Sequence, residues 1–283
     1  MSAGMIDPKI DPKIDSTARI ENGAALAPDV TVGPYCTIGP HVTLGAGARL
    51  HAHVNLTGHT TFGARTVIHP FASLGSPPQS VHYRGGPTRL VVGADCDIRE
   101  HVTMNTGTED GGGITEVGDR CFLMIGSHVG HDCKVGNDVV FANNILLAGH
   151  ATVGDHVVFG GGVAVRQFTR IGEGAMIVGL SGVRADIIPW GMALGTPLSD
   201  LVGLNVIGMH RHGFAKADIH RYRAAYRELF FGDGEFRSRL ERVAADYGGD
   251  PHVGKMLDFI RAGKRPLTMA RKRNEAGVGD EDA

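Results

Sequence analysis

The chain has 283 residues and a formal net charge of −2, which gives no electrostatic reason to expect a nucleic-acid partner. Glycine is abundant, at 42 residues, and aromatic residues make up only 6%, which suits a turn-rich coil better than a globular α/β core. Residues 1–13, predicted as an N-terminal tail, lack the apolar core of a signal peptide, and no run of about 18 apolar residues follows, so we expect no transmembrane segment and a cytoplasmic location.

A β-helix is predicted over 14–189. Apolar residues recur at every sixth position from 14 to 74. This series, which we call the ladder, continues in phase from 92 to 104. A period of six fits neither the 3.6 of a helix nor the 2.0 of a single strand. It fits a chain wound into coils with three short faces, one inward side chain per face and about 18 residues per coil.

Two segments interrupt the ladder. The first, 75–91, contains several Pro and Gly residues, and the second, 105–116, is rich in Gly and acidic side chains. Both are predicted to be loops that protrude from the coil. Binding residues are often placed on loops of a rigid scaffold.

The second stack of coils runs over 117–183, where every sixth residue is again apolar and Gly often follows it. A residue without Cβ suits the corner at which the chain leaves one face. Four cysteines fall inside the predicted coil without CxxC spacing, and we expect them to be small core fillers in a reducing compartment. They are Cys36, Cys96, Cys121 and Cys133.

The period changes after Val183, where the coil is predicted to stop. A small helical domain is expected at 190–263, followed by a charged, disordered tail at 264–283. Apolar spacing and capping signals predict three helices in this domain. They are Lys216–Phe231, 235–247 with Asp233 as its cap, and a third that starts with Asp250 as N-cap and Pro251 at N1 and ends near Gly263.

A polar cluster stands out in the second stack. The 18-residue period places His131, Gly149 and Gln167 above one another at one corner, with the remaining polar residues beside them. Those neighbours are His128, Asp132, His150 and Arg166. A histidine is the usual general base at neutral pH, a neighbouring carboxylate can orient it, and a glycine N–H can stabilise an oxyanion.

Two other interpretations of the cluster stay open from the residues alone. The chain has 15 histidines, so those at the corner could be exposed residues without a catalytic role. Cys133 could act as a nucleophile, although the period places no base beside it.

The chain resembles the acyl-[acyl-carrier-protein]–UDP-N-acetylglucosamine O-acyltransferase family. The resemblance covers nearly the whole chain, both loops included. It is carried by IGPHVTLG (38–45), HYRGGPTR (82–89), IREHVT (98–103), GGGITEVGD (111–119), LMIGSHVGHDCKVGN (123–137), ANNILLAGH (142–150) and NVIGMHRHGF (205–214). It implies an all-β left-handed parallel β-helix of hexapeptide repeats with a C-terminal α-helical domain, and a homotrimer with active sites between subunits.

The resemblance also implies roles for single residues. His131 matches the catalytic base, Asp132 the residue that orients it, and Gly149 the oxyanion-hole amide. Other positions match substrate or acyl-chain contacts: His128, His150, Gln167, Arg166, Ser80, His82 and His212 for the substrate, Asn205 and Arg211 for the UDP moiety, and Gly161 and Gly179 for the acyl-chain pocket. The chain departs from the familiar family pattern at Ser80, His82, Asn105, Thr106, Arg166, Ile207 and His212.

The implied reaction is transfer of a (3R)-3-hydroxyacyl group from acyl carrier protein to position 3 of the sugar of UDP-N-acetylglucosamine, the first step of lipid A biosynthesis. No metal and no bound cofactor are expected, because phosphopantetheine arrives on the carrier. The departures leave open whether the acceptor is a 3-hydroxyl or the 3-amine of an analogue.

Two alternatives use the same scaffold. One is a zinc hydratase similar to γ-class carbonic anhydrase, in which His128, His131 and His150 from neighbouring subunits would hold the metal. The other is a non-catalytic or ice-binding coil, which would require flat rows of Thr on its outer faces, whereas the outward positions here are mixed.

Overall fold

The structure, a computed structural model, describes residues 13–270. The predicted N-terminal tail therefore lies outside the described residues, apart from Lys13. Residues 14–204 wind into a prism with three flat faces. Each face is a β-sheet of parallel strands, except that the last strand of the third sheet is antiparallel to its neighbour.

The strands are short and belong to the three sheets in turn. Sheet 1 contains β1 (Arg19–Ile20), β4 (Thr37–Ile38), β7 (Asn55–Leu56), β10 (Ser73–Ser76), β13 (Thr103–Asn105), β16 (His128–Val129), β19 (Leu146–Leu147), β22 (Ala164–Val165) and β25 (Gly182–Val183). Sheet 2 contains β2 (Ala25–Leu26), β5 (Val42–Leu44), β8 (His59–Phe62), β11 (Arg89–Val92), β14 (Ile114–Val117), β17 (Lys134–Val135), β20 (Thr152–Val153) and β23 (Arg170–Ile171). Sheet 3 contains β3 (Thr31–Val32), β6 (Arg49–Leu50), β9 (Val67–Ile68), β12 (Asp97–Ile98), β15 (Phe122–Leu123), β18 (Val140–Phe141), β21 (Val158–Phe159), β24 (Met176–Ile177), β26 (Gly191–Leu194) and β27 (Asp200–Leu204).

The register confirms the predicted winding. Thr37 pairs with Asn55 across β4 and β7, and their side chains are hydrogen-bonded at a separation of 18 residues. The same offset aligns His128 with Leu146 and Leu146 with Ala164 on sheet 1. A coil therefore comprises three strands and returns above itself after 18 residues.

The interior of the prism is filled by the apolar ladder. The largest fully buried side chains of the coil are nearly all ladder residues: Ile38, Leu44, Leu56, Phe62, Ile68, Leu74, Leu90, Ile98, Met104, Phe141 and Phe159. Each such side chain contributes roughly 1.5–3 kcal/mol before conformational entropy is subtracted. The first residue of the ladder, Ile14, is an exception, because it is 45% exposed. All four cysteines are buried and free, as predicted.

The two loops are shorter than predicted. Strands β10 and β11 bound the first, loop 77–88, and strands β13 and β14 bound the second, loop 106–113. The residues at the loop edges join the sheets, because Arg89 pairs with both His59 and Ile114.

The coil does not stop at Val183, contrary to the prediction. After an irregular segment, β26 pairs in parallel with β24, and β27 then folds back antiparallel to β26. Up to residue 270, four helices follow, and the sequence predicts only the last three of them. They are α1 (Val206–Arg211), α2 (Lys216–Phe231), α3 (Phe236–Tyr247) and α4 (Pro251–Arg261).

The capping predictions have different outcomes. The Asp250 carboxylate accepts hydrogen bonds from the N–H groups of His252 and Val253, and Pro251 stands at the first helical position, as expected. The prediction of Asp233 as the cap of α3 is wrong, because the chain enters α3 at Glu235.

Specific contacts hold the helices on the end of the coil. The Tyr222 hydroxyl donates to the Pro189 carbonyl at 2.6 Å, and the Arg170 guanidinium donates to Asp186 and to the Phe259 carbonyl. Lys255 pairs with Glu173 at 2.9 Å. Within residues 13–270, no helix combines the length and the apolar character that a membrane span requires.

The start of the predicted disordered tail is ordered. Leu267 forms a parallel bridge with Asp186, and Ala270 forms one with Leu201. The prediction of disorder is therefore wrong for 264–270. Its charged composition is typical of a disordered segment, but backbone hydrogen bonds to the coil keep it ordered. The remainder of that prediction, 271–283, lies outside the described residues.

Candidate active site

An open cleft of about 330 Å³ lies at the corner between sheet 1 and sheet 2. Its lining comes from four successive coils and from loop 77–88. The lining residues are Gln79, Asn105, His128, Gly130, His131, Leu146, Ala148, Gly149, Ala164, Val165 and Gln167. Four of the predicted site residues are thus brought together, because the corner repeats every 18 residues.

His131 and Asp132 form a hydrogen-bonded pair on one wall of the cleft. The His131 Nδ1 lies 2.8 Å from the Asp132 Oδ2, and the two residues are only 8% and 6% exposed. An ionised carboxylate can only accept hydrogen bonds, so Nδ1 carries the proton and the lone pair of the imidazole is on Nε2. That nitrogen is the one available to a substrate.

Loop 106–113 wraps around Asp132. The Thr108 N–H and hydroxyl donate to the two carboxylate oxygens at 2.8 and 2.7 Å, and the Asp132 N–H donates to the Thr115 hydroxyl. Gly111 faces the carboxylate so closely that a Cβ there would collide with it. Asp132 therefore has every donor that a buried carboxylate needs, and it also anchors the loop.

Gly149 faces the imidazole from the next coil. A Cβ on Gly149 would lie 2.6 and 2.7 Å from the Cε1 and Nε2 atoms of His131, so only glycine fits beneath the ring. Among residues 13–270, the Gly149 N–H donates to no protein acceptor. A backbone donor without a partner in a cleft is available to a ligand oxygen.

Two more histidines flank the pair. The His128 Nδ1 is 2.8 Å from the Thr103 hydroxyl, and the His150 ring meets the edge of the His131 ring and stacks on Phe168. Burial is the main cause that lowers the pKa of both imidazoles; for His150 the nearby Asp132 carboxylate opposes this shift without reversing it, and His131 lowers the pKa of both further. Both side chains are therefore neutral hydrogen-bonding groups at pH 7.

Cys133 does not provide a nucleophile. Its thiol is buried and donates to the Ala148 carbonyl, and burial raises its pKa to about 12. A protonated thiol that points into the core is unreactive.

Several other predicted residues lie outside the cleft lining. Arg166 is exposed next to Gln167, and Ser80 and His82 lie on loop 77–88, where the Ser80 hydroxyl accepts from the His82 N–H. Gly161 and Gly179 stack at the corner between sheet 3 and sheet 1, where a Cβ on Gly179 would lie 3.1 Å from the Gly161 carbonyl oxygen.

Three more residues predicted to contact the substrate, Asn205 and Arg211 at the UDP moiety and His212, lie near another corner of the prism. Asn205 caps α1 through Gly208 and donates to the Gly174 carbonyl, so both ends of its amide are engaged. Arg211 is exposed, and His212 contacts His156 and Trp190. Within one chain, none of the three lines the cleft.

The residues that sequence reasoning missed come mainly from the loops. Gln79 lines the cleft, Asn105 supports it from β13, and Thr108 holds Asp132. Loops carry no hydrophobic period that would assign their side chains to a face. The one available signal is the need of a buried carboxylate for donors, which directs attention to the Ser and Thr residues nearby.

One group of possible metal ligands occurs in the described part of the chain. It consists of His131, Asp132 and His150, whose ligand atoms lie within 4.8 Å of one another. His128 is not part of this group, so the three histidines of the zinc alternative do not come together in a single chain.

Known protein families match parts of both the coil and the helical domain. Residues 186–268 match the family model described as UDP N-acetylglucosamine O-acyltransferase, domain 2, and residues 11–46 and 114–144 match that of the bacterial transferase hexapeptide. A relative from Azorhizobium caulinodans, named acyl-[acyl-carrier-protein]–UDP-N-acetylglucosamine O-acyltransferase, is 58% identical over 90% of this chain and 94% of its own length. A relative of the same name from Rhizobium etli is 48% identical over 77% of this chain and 80% of its own.

Solved structures give the same result. The crystal structure of UDP-N-acetylglucosamine O-acyltransferase from Moraxella catarrhalis superposes with a TM-score of 0.86 at 38% identity, covering 90% of this chain and 99% of the other. The enzyme from Arabidopsis superposes with a TM-score of 0.81 at 31% identity, covering 90% and 99%. The coil is therefore a left-handed parallel β-helix, and neither the zinc hydratase nor the non-catalytic scaffold is supported. The chain belongs to the acyl-[acyl-carrier-protein]–UDP-N-acetylglucosamine O-acyltransferase family.

Proposed function

We propose that this protein transfers a (3R)-3-hydroxyacyl group from acyl carrier protein to position 3 of the sugar of UDP-N-acetylglucosamine, the first step of lipid A biosynthesis. The observation that carries the proposal is the arrangement of His131, Asp132 and Gly149: an imidazole oriented by a buried carboxylate, beside a backbone N–H without a protein partner. The names of the relatives support the same reaction. We also propose that the protein acts in the cytoplasm.

The proposed mechanism uses one base and one donor. The Nε2 of His131 takes the proton of the acceptor group at position 3 as its oxygen or nitrogen attacks the thioester carbonyl. The new C–O or C–N bond gives a tetrahedral oxyanion, which the Gly149 N–H stabilises. The C–S bond then breaks, and the proton passes from His131 to the departing thiol of phosphopantetheine, which is delivered on the carrier.

We place the acyl chain across the outer face of sheet 1. This face connects the cleft to the corner of Gly161 and Gly179, and its outward side chains above His128 are Leu146 and Ala164. Leu146 is 54% exposed, so its apolar surface is available to a ligand that lies on this face.

We propose a homotrimer in which a neighbouring copy completes the nucleotide site, because Asn205, Arg211 and His212 do not reach the cleft of their own chain. A stripe of apolar side chains on the outer face of sheet 3 supports association between copies. The stripe consists of Phe122, Val140, Val158, Met176 and Met192, each the outward residue of its strand. The molar mass in solution tests this point.

Product analysis tests the reaction itself. The purified protein is incubated with a series of (3R)-3-hydroxyacyl carrier thioesters of different length, together with UDP-N-acetylglucosamine or its 3-amino analogue. Mass spectrometry of the nucleotide sugar then identifies the acyl length and the acceptor atom. Failure to acylate either sugar with any chain length would refute the proposal.

Gly179→Met should shift the preference towards shorter acyl chains. Any side chain at this position begins 3.1 Å from the Gly161 carbonyl oxygen, so the added thioether has to extend into the proposed acyl groove. The ratio of kcat/KM between long and short thioesters is the measurement, with the exposed Leu180→Met as the matched control. An unchanged ratio in Gly179→Met would remove Gly179 from the acyl pocket.

The carrier protein should dock on α2. Carrier proteins are acidic, and the exposed side of α2 carries Lys216, His220, Arg223 and Arg227 at helical spacing, without an acidic partner within 4 Å in the described chain. The double change Arg223→Glu and Arg227→Glu should raise KM for the acyl carrier about tenfold at low salt and leave KM for the nucleotide sugar unchanged. The single changes Arg223→Glu and Arg237→Glu, on α2 and α3, form the charge-matched comparison, and equal effects of these two changes would exclude this docking face.

A further inference from the structure

Loop 77–88 is anchored at its two ends, where the Asn105 amide donates to the Pro77 carbonyl and the buried Thr88 hydroxyl donates to Thr106, and its middle is held mainly by polar contacts. A cleft of about 440 Å³ lies between this loop and the coil below it, and Val81 at its tip is 86% exposed. Apolar packing therefore does not hold the tip in place. The loop nevertheless carries Gln79, which forms part of the active-site lining beside His128 and His131.

The tip is connected to loop 106–113 by one carboxylate. The Glu109 Oε1 accepts hydrogen bonds from the Gly86 N–H at 2.7 Å and from the Arg84 N–H at 3.2 Å. A Cβ on Gly86 would lie 2.6 Å from the same oxygen, so a residue without a side chain is needed where the carboxylate approaches. Hydrogen bonds to an ionised acceptor are stronger than those between neutral groups.

Glu109 directly follows Thr108, which is held by Asp132. The Thr108 N–H and hydroxyl bind the carboxylate of Asp132, and the next side chain binds loop 77–88. A continuous set of contacts thus runs from His131 through Asp132 and loop 106–113 to the loop that carries Gln79. The Asp132 end of this connection is buried, and the Glu109 end is exposed.

We propose that Glu109 is a positioning residue for the acyl-transfer reaction: it latches loop 77–88 to loop 106–113 and thereby keeps Gln79 in the cleft, where it contacts one of the two substrates. This inference rests on the proposed function for its kinetic consequences. The latch itself is a structural statement that can be measured without any substrate.

Hydrogen exchange tests the latch directly. In Glu109→Ala, amides of residues 77–88 should exchange about fivefold faster than in the wild type, because two charge-assisted hydrogen bonds are lost. Gly86→Ala should have the same effect with Glu109 intact, since its Cβ displaces the carboxylate. Asp110→Asn, an exposed neighbour in the same loop, is the control and should leave exchange unchanged. Wild-type exchange rates in Glu109→Ala would overturn the proposal.

Kinetics test the role. Glu109→Ala should raise KM for one substrate about fivefold with kcat within about twofold, and Gln79→Ala should raise KM for the same substrate. The double variant should be no worse than Gln79→Ala alone, because Glu109 acts through Gln79. Glu109→Gln, which keeps an acceptor oxygen, should recover part of the loss. Additive effects of the two substitutions, or effects on the KM of different substrates, would refute the positioning role of Glu109. A wild-type protein without acyl-transfer activity would instead refute the proposed function, and the hydrogen-exchange test of the latch would still hold.

Discussion

Replacing His131 by Ala is expected to lower kcat by about 10²–10⁴ while the protein keeps its fold. Neither neighbouring histidine is oriented by a carboxylate in the way that His131 is. The His128 Nδ1 is engaged with Thr103, and the His150 ring meets the edge of the His131 ring and stacks on Phe168. Residual turnover should come from the Gly149 N–H and from substrate positioning, which the substitution leaves in place.

Single-turnover and steady-state rates with saturating substrates check this expectation, and circular dichroism checks the fold. His53→Ala is the matched control, because His53 is an exposed corner histidine of the coil that stacks on Tyr35 and Phe71 away from the cleft. A His131→Ala variant with wild-type kcat would remove the imidazole from the mechanism. Substitution of Asp132 is less informative, because its carboxylate also holds loop 106–113.

The second large effect concerns stability: Val153→Asp should prevent folding. Val153 is 2% exposed and lies in the ladder between Val135 and Ile171 of the adjacent coils. A carboxylate at this position has no donor and no counter-ion, and burying it costs on the order of several kcal/mol. That cost is comparable to the whole stability of a typical domain, about 5–15 kcal/mol.

The adjacent substitution Thr152→Asp is the matched control. Thr152 is the outward residue of the same strand, exposed between Lys134 and Arg170, so an added carboxylate remains in water beside two cations. Soluble expression and a thermal unfolding transition distinguish the two variants. A soluble Val153→Asp protein with a cooperative transition would contradict the inward assignment of the ladder.

The coil could be predicted from the sequence because its six-residue repeat is visible within any short stretch of the chain. Each ladder residue such as Val129 or Leu147 identifies an inward position without knowledge of any distant contact, and the period alone then stacks His131 on Gly149. Helix α2 was predicted for the same reason, and so was the Asp250 cap of α4, whose signal lies within three residues.

The rest could not be predicted, because it depends on contacts between residues far apart in the chain. Thr108 reaches Asp132, 24 residues away, from a loop without periodicity. The antiparallel strand β27 and the ordered segment 264–270 exist because the end of the coil offers unpaired backbone groups. Local composition predicts a tail at 264–270, and only the tertiary structure supplies its partners.

The spacing of the corners has a consequence for how such a protein can diverge. Neighbouring corner residues are usually 18 positions apart, yet Arg65 and Asp95 are 30 apart and Ala94 and Asp119 are 25 apart, with the strands still aligned above and below. Inserted segments are therefore expelled sideways without turning the prism. Natural selection can lengthen, shorten or rewrite the two loops near the cleft while the His131 imidazole and the Gly149 amide stay in fixed relation, so changes in the loops need not disturb the proposed catalytic pair.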